Sequence, residues 1–159
     1  MHASRKEAPE FEGIEGWINS QPLTLHGLRN KVVFLDFWTY GCVNCSRTLP
    51  YVKELHSKYS NDGLVIVGVH TPEFPYERKR VNVERAVASA DLEYPIALDN
   101  DNMTWRLYGN HFWPRQTLID AKGEVRYEHV GEGDYEEIEA KIVELLDEMR
   151  IILGQVPRS

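Results

Sequence analysis

From Val32 to Trp38 the chain reads Val-Val-Phe-Leu-Asp-Phe-Trp, a nearly continuous apolar run. A strand that is apolar on both faces has no side for water, so Lys31 to Trp38 predicts a strand in a sheet covered on both faces. The segment from Gly63 to Val69, Gly-Leu-Val-Ile-Val-Gly-Val, repeats the pattern. Between the two, Leu49, Val52, Leu55 and Tyr59 recur at the three- and four-residue spacing of a helix over Cys42 to Tyr59, with Pro50 inside it as a predicted kink. Strand, helix and strand in that order predict a parallel beta-alpha-beta unit.

The remaining signals extend this unit. Phe11 to Asn30 alternates short apolar pieces with turn residues and predicts short strands or a hairpin ahead of the core. Residues 76–90 predict a helix, 94–98 a short strand, and 101–108 a short helix with Asp99 or Asn100 near its cap. Thr117 to Asp120 and Glu124 to Val130 flank Ala121-Lys122-Gly123 as an antiparallel hairpin. Ile138, Ile142, Leu145, Leu146 and Met149 form one apolar stripe on a last helix from about Tyr135 to Leu153. The expected class is α/β, with a central mixed sheet flanked by helices. A single domain over residues 11–153, between flexible tails at 1–10 and 154–159, suits 159 residues of which 42% are hydrophobic.

Eighteen basic against 25 acidic residues give a formal charge of −7 and no basic stripe, which argues against a nucleic-acid partner. The apolar stretches are shorter than the roughly 18 to 20 residues of a membrane helix, and the polar amino end lacks a signal-peptide pattern. The chain as written reads as cytoplasmic, or extracytoplasmic if it is a domain cut from a longer protein. Its only two cysteines, Cys42 and Cys45, sit four and seven residues past Trp38. A bridge between them closes almost no loop and stabilises the fold little, so chemistry explains the pair better than stability does. Cys-x-x-Cys at a strand-to-helix junction is the geometry of a thiol–disulfide redox site. Cys42, at the helix amino end, faces unsatisfied N–H groups that favour thiolate and is the expected nucleophile. Cys45, one turn further in, is the expected resolving thiol.

Several segments carry a resemblance in chain order. Asp36-Phe37-Trp38, the Cys-x-x-Cys three residues on, Pro50, Trp113-Pro114 ahead of the hairpin and Val130-Gly131 resemble the thioredoxin superfamily. Phe37 to Cys45, Gly68-Val69-His70-Thr71-Pro72-Glu73 and Gly131-Glu132-Gly133-Asp134-Tyr135 are closer to TlpA-like redoxins, most of all to the thioredoxin-like domain of DipZ proteins and relatives fused to NHL repeats. The resemblance covers roughly residues 11–150. It implies a thioredoxin-like fold with an amino-terminal strand extension and a TlpA-like insertion at about 74–100. It further implies electron exchange with protein dithiols and disulfides, including an upstream donor, through a redox-active Cys42–Cys45 disulfide and no other cofactor.

By the same resemblance, Asp36 relays a proton from the resolving thiol, since a buried carboxyl has a raised pKa. Without it, Asp36 is a strand-end carboxylate paired with a lysine. Pro114 is implied to be cis, with Trp113 beside it tuning specificity or packing as core, and Trp38 shielding the site. His70 and Glu73, in the loop after the second strand, are candidates for a supporting role. Val43-Asn44 contains no histidine, proline or charge, which favours a reductase. Three alternatives stand beside this reading. Thr39, three residues before Cys42, fits a peroxiredoxin-type peroxidase, although Leu35 stands where that motif has proline. Zinc binding would need two ligands beyond the cysteines, and neither His56 nor His111 has partner spacing. The third is a redox-inactive interaction module.

Overall fold

The computed structural model describes residues 6–155; the expected tail residues 1–5 and 156–159 lie outside them. Six strands form one sheet: β1 (Trp17–Ile18), β2 (Val32–Trp38), β3 (Leu64–His70), β4 (Ile96–Leu98), β5 (Arg115–Ile119) and β6 (Val125–Val130), in the spatial order β1-β4-β3-β2-β5-β6. The β4, β3 and β2 strands run parallel, while β1 and the β5–β6 hairpin are antiparallel additions at the two edges. The helices are α1 (Val43–Tyr59), α2 (Arg80–Ser89), α3 (Met103–Leu107) and α4 (Tyr135–Ile152).

All seven β2 residues are buried, because each face of the strand meets its own apolar layer. Val32, Phe34 and Trp38 pack with α1, α2 and α4 through residues such as Leu49, Val83 and Ile142, whereas Val33, Leu35 and Phe37 pack with Trp105, Tyr108, Leu25 and Ala8. The α4 stripe read from the sequence, Ile138, Ile142, Leu145, Leu146 and Met149, is buried throughout. At roughly 1.5–3 kcal/mol for each large apolar side chain removed from water, that stripe holds an otherwise charged helix on the sheet. Among the described residues, no helix is long and apolar enough to cross a membrane.

Three segments differ from the sequence reading. Phe11 to Asn30 forms no hairpin: only Trp17–Ile18 pairs, with β4, and a 3-10 turn follows at His26–Leu28. The Glu10 carboxylate accepts the N–H groups of Leu25 and His26, so these donors are satisfied by a side chain instead of a ladder. Residues 6–10 of the expected tail also pack, with Ala8 N–H donating to Gly123 O and Tyr108 Oη to Pro9 O. The helix expected at 76–90 is split into a 3-10 turn, Pro75–Arg78, and α2, because Lys79 between them is extended. Asp99 caps α3 from a distance, accepting the N–H groups of Thr104 and Trp105.

Candidate active site

The two cysteines lie where the carboxyl end of β2 turns into α1. Cys42 is the N-cap of α1, in extended conformation, and its Sγ accepts the backbone N–H of Cys45 at 3.2 Å. That bond satisfies one of the donors a helix start leaves open, and it places a donor on the Cys42 sulfur, where it would favour the thiolate. Both thiols are free; Cys42 is partly exposed, whereas Cys45 is 1% exposed and packs in the α1-side core. The exposed sulfur can reach a partner, and the buried one can reach only its neighbour.

Burial raises the Cys45 thiol above its usual range, helped by its contact with Cys42 and the nearby Asp36 charge. A neutral buried thiol attacks only if a nearby group takes its proton. Asp36 is 1% exposed, and burial lifts its carboxyl to about 7 while the amide of Gln116, its cross-strand partner on β5, offsets part of the rise. The carboxyl therefore titrates in the neutral range where a proton acceptor is most useful.

The loop that delivers Cys42 is held from β3. His70 is fully buried, and burial lowers its imidazole to about 3, so it stays neutral. Its Nε2 accepts the Tyr40 N–H at 3.2 Å, its ring stacks on Tyr40 at 5.7 Å, and it meets the edge of Trp38 at 4.9 Å. His70 thus holds the Tyr40 backbone and ring in place ahead of Cys42. Trp38, also buried, belongs to the same core cluster as Cys45.

The Trp113–Pro114 peptide is cis. Register of Arg115 with Phe37 sets Pro114 at the Trp38 end of β2, the end that leads to Cys42. Trp113 stacks on Trp105 at 4.1 Å and donates from Nε1 to Thr71 O, while Thr71 Oγ1 donates to the buried Asp99 carboxylate at 2.8 Å. The large indole is therefore held by packing. Exposed apolar side chains come instead from Val43, 63% exposed between the two cysteines, and Phe112, 67% exposed and next to Trp113, which the sequence did not single out.

Glu73 is exposed, and the buried acid of that loop is Glu77. One Glu77 oxygen accepts the N–H groups of Glu73 and Phe74 at 2.8 and 3.1 Å. The other lies against Gly41, in the space a Cβ there would take. A side chain at Gly41 would have to displace the Glu77 carboxylate, and the insertion's 3-10 turn abuts the residue before Cys42. An open groove of about 460 Å³ runs beside it, lined by Tyr40, Ser46, Leu49 and Lys53 on one side and by Ala86 of α2 and Ala90 at its carboxyl end on the other. No cluster of three or more His, Cys, Asp or Glu suited to a metal ion occurs among the described residues.

Comparison with known proteins agrees with this layout. The Redoxin family profile matches residues 3–145. The chain is 44% identical to Protein DipZ of Mycobacterium bovis over 90% of its own length and 21% of that protein's. It is 38% identical to NHL repeat-containing protein 2 of Gallus gallus, covering 82% of this chain and 18% of that protein. It is also 32% identical to thiol-disulfide oxidoreductase ResA of Bacillus thuringiensis, covering 84% of this chain and 73% of ResA. The chain thus spans about a fifth of the length of the first two relatives. Among solved structures, a putative thiol:disulfide interchange protein DsbE from Chlorobium tepidum superposes with a TM-score of 0.80 at 29% identity, over 91% of this chain and 98% of that one. With its thioredoxin-like fold, and with Cys-x-x-Cys at the carboxyl edge of a mixed sheet, this chain belongs to the Redoxin family.

Proposed function

We propose that the chain is a protein thiol–disulfide oxidoreductase acting as a reductase, fed by an upstream dithiol donor. The observation that carries this reading is the unequal burial of the two sulfurs above a buried carboxyl that titrates near neutrality. Cys42 attacks a partner disulfide and forms a mixed disulfide, expelling one partner thiol. Cys45 then gives its proton to Asp36 and attacks Cys42 Sγ, and the second partner sulfur leaves with the electron pair. The partner disulfide is reduced and the Cys42–Cys45 dithiol is oxidised, two electrons in each case. The donor reverses this change to complete the cycle.

Direction is supported by how little holds a charge on the site. Cys42 Sγ receives the Cys45 N–H, and the buried side chains near the pair, Asp36 and Glu77, are acids with no cation among them. Strong oxidants of this fold depend on a stabilised reduced form. Val43, Phe112 and the α1–α2 groove supply the surface on which an apolar stretch of a partner can rest.

A single-turnover experiment tests this reading. Pre-reduced protein, freed of small thiols and mixed with a protein disulfide, should reduce about one disulfide per chain, the limit of one dithiol. Retention of both thiols in the presence of excess disulfide would reject it.

A further inference from the structure

Asp36 and Tyr94 each bury a polar oxygen, Oδ1 and Oη respectively, that has no hydrogen-bond partner. Such orphans are uncommon in protein interiors and call for a physical reason. These two are close to one another through a third residue, Gly68. Asp36 is in parallel register with Gly68, and Gly68 with Ile96, so the three stand side by side across β2, β3 and β4. A Cβ at Gly68 would meet Tyr94 Cε1 at 3.2 Å and Trp38 Nε1 at 3.0 Å. The Tyr94 ring, together with Ile96 Cδ1 at 2.9 Å and Trp38 Nε1, therefore fills the space beside Asp36 that a side chain on β3 would otherwise take.

The phenol is 1% exposed, and the ring of His56 from α1 packs against it at 5.8 Å. Burial, and then the Asp36 charge, push the Tyr94 hydroxyl well above its usual range, so it stays an O–H donor wherever Asp36 titrates. The other groups facing Asp36 are Cys45 from α1 and Gln116 from β5; His70, beyond Trp38, is neutral.

We infer that Tyr94, supplied by the segment between α2 and β4, is a positioning residue of the proton relay, its hydroxyl turning onto the Asp36 carboxylate when that group is ionised. The inference rests on the reading of Asp36 as proton acceptor. In the exchange step the Cys45 proton moves to Asp36, the Cys45 sulfur bonds to Cys42 Sγ, the Cys42–partner bond breaks, and the partner sulfur takes the electron pair. Asp36 loses its charge in that step, so the Tyr94 hydroxyl is released from it. A donor to the charged form favours ionisation, so Tyr94 keeps more of the acceptor available near neutral pH.

Tyr94→Phe preserves the ring and removes only the hydroxyl. Carbon-13 titration of the Asp36 carboxyl in the reduced protein should show its midpoint raised by about one pH unit, the scale of one lost hydrogen bond to a charge. Turnover at about pH 6 should fall about tenfold and converge with wild type in alkali, where the carboxylate forms fully in both. With Asp36→Asn as background, Tyr94→Phe should add nothing. An unmoved Asp36 midpoint would overturn the inference. A second measurement needs no variant: the Tyr94 ring carbon bearing oxygen should change shift with the Asp36 midpoint in wild-type protein, and a flat signal would equally overturn it. A moved midpoint in a protein without disulfide turnover would uphold the contact and reject the oxidoreductase reading instead.

Discussion

Cys45→Ser is expected to accumulate a covalent complex with a disulfide-containing partner, visible by intact mass under non-reducing conditions, while Cys42→Ser accumulates none. The asymmetry follows from burial. Cys42 caps α1 with its sulfur partly exposed, and Cys45 is 1% exposed beneath it. Without the buried sulfur, the mixed disulfide on Cys42 has no intramolecular route to resolution. Catalytic turnover should fall by at least about 10³-fold in either variant, since the two sulfurs act as a unit. Trapping on Cys45 in the Cys42→Ser variant, with none on Cys42 in its counterpart, would reverse the assignment.

Asp36→Asn should lower turnover at neutral to mildly alkaline pH by about 10²-fold, the low end of what a positioned proton acceptor contributes. The wild-type rate should fall on the acid side with a midpoint near the carboxyl's value of about 7, and the variant should lack that limb. The same substitution should stabilise the fold. In the native protein Asp36 holds its proton up to about 7, whereas in the unfolded chain it loses it near 3.8. Between these values the unfolded state binds fewer protons, so wild-type stability declines as pH rises from about 4 to about 7 and levels off above it. The difference corresponds to about 4 kcal/mol, less whatever the buried amide costs. Denaturant titrations of both proteins should therefore converge near pH 4 and separate at pH 8, with the variant the more stable. Parallel stability curves across that range would show that Asp36 is not a buried titrating acid.

The parts of this molecule that were legible in its sequence are those written in local pattern. The run over Val32–Trp38 is buried on both faces because six of its seven residues are apolar, and the α4 stripe fixes its docking by spacing alone. The cysteines announce themselves by following that strand. What escaped reading depends on contacts between distant segments. Glu73 and Glu77 are both acids in one loop, and only the turn begun by Pro75 decides that Glu77 points inward beside Gly41. Tyr94 looks like the start of a strand, yet the ladder begins at Ile96 and the phenol lies over Gly68. Its place follows from a glycine in another strand, which no periodicity reports. Glu10 likewise replaces an expected hairpin by accepting N–H groups fifteen and sixteen residues away.

The insertion between β3 and β4 thus contributes at two levels. Its 3-10 turn sets Glu77 against the residue before Cys42, and α2 forms one wall of the groove beside the site. Its last turn brings Tyr94 beneath the sheet-side carboxyl. A segment that could be taken for decoration on a simpler core thus packs against Gly41, next to Cys42, and against Gly68, the strand neighbour of Asp36.

The most direct measurement is the equilibrium of the Cys42/Cys45 pair in defined thiol–disulfide buffers, followed by counting free thiols. The expected result is one reversible two-electron transition nearer to about −270 mV, the reducing end for this fold, than to about −120 mV. A transition near about −120 mV would contradict the reductase direction, and the absence of any reversible transition would contradict thiol–disulfide exchange itself.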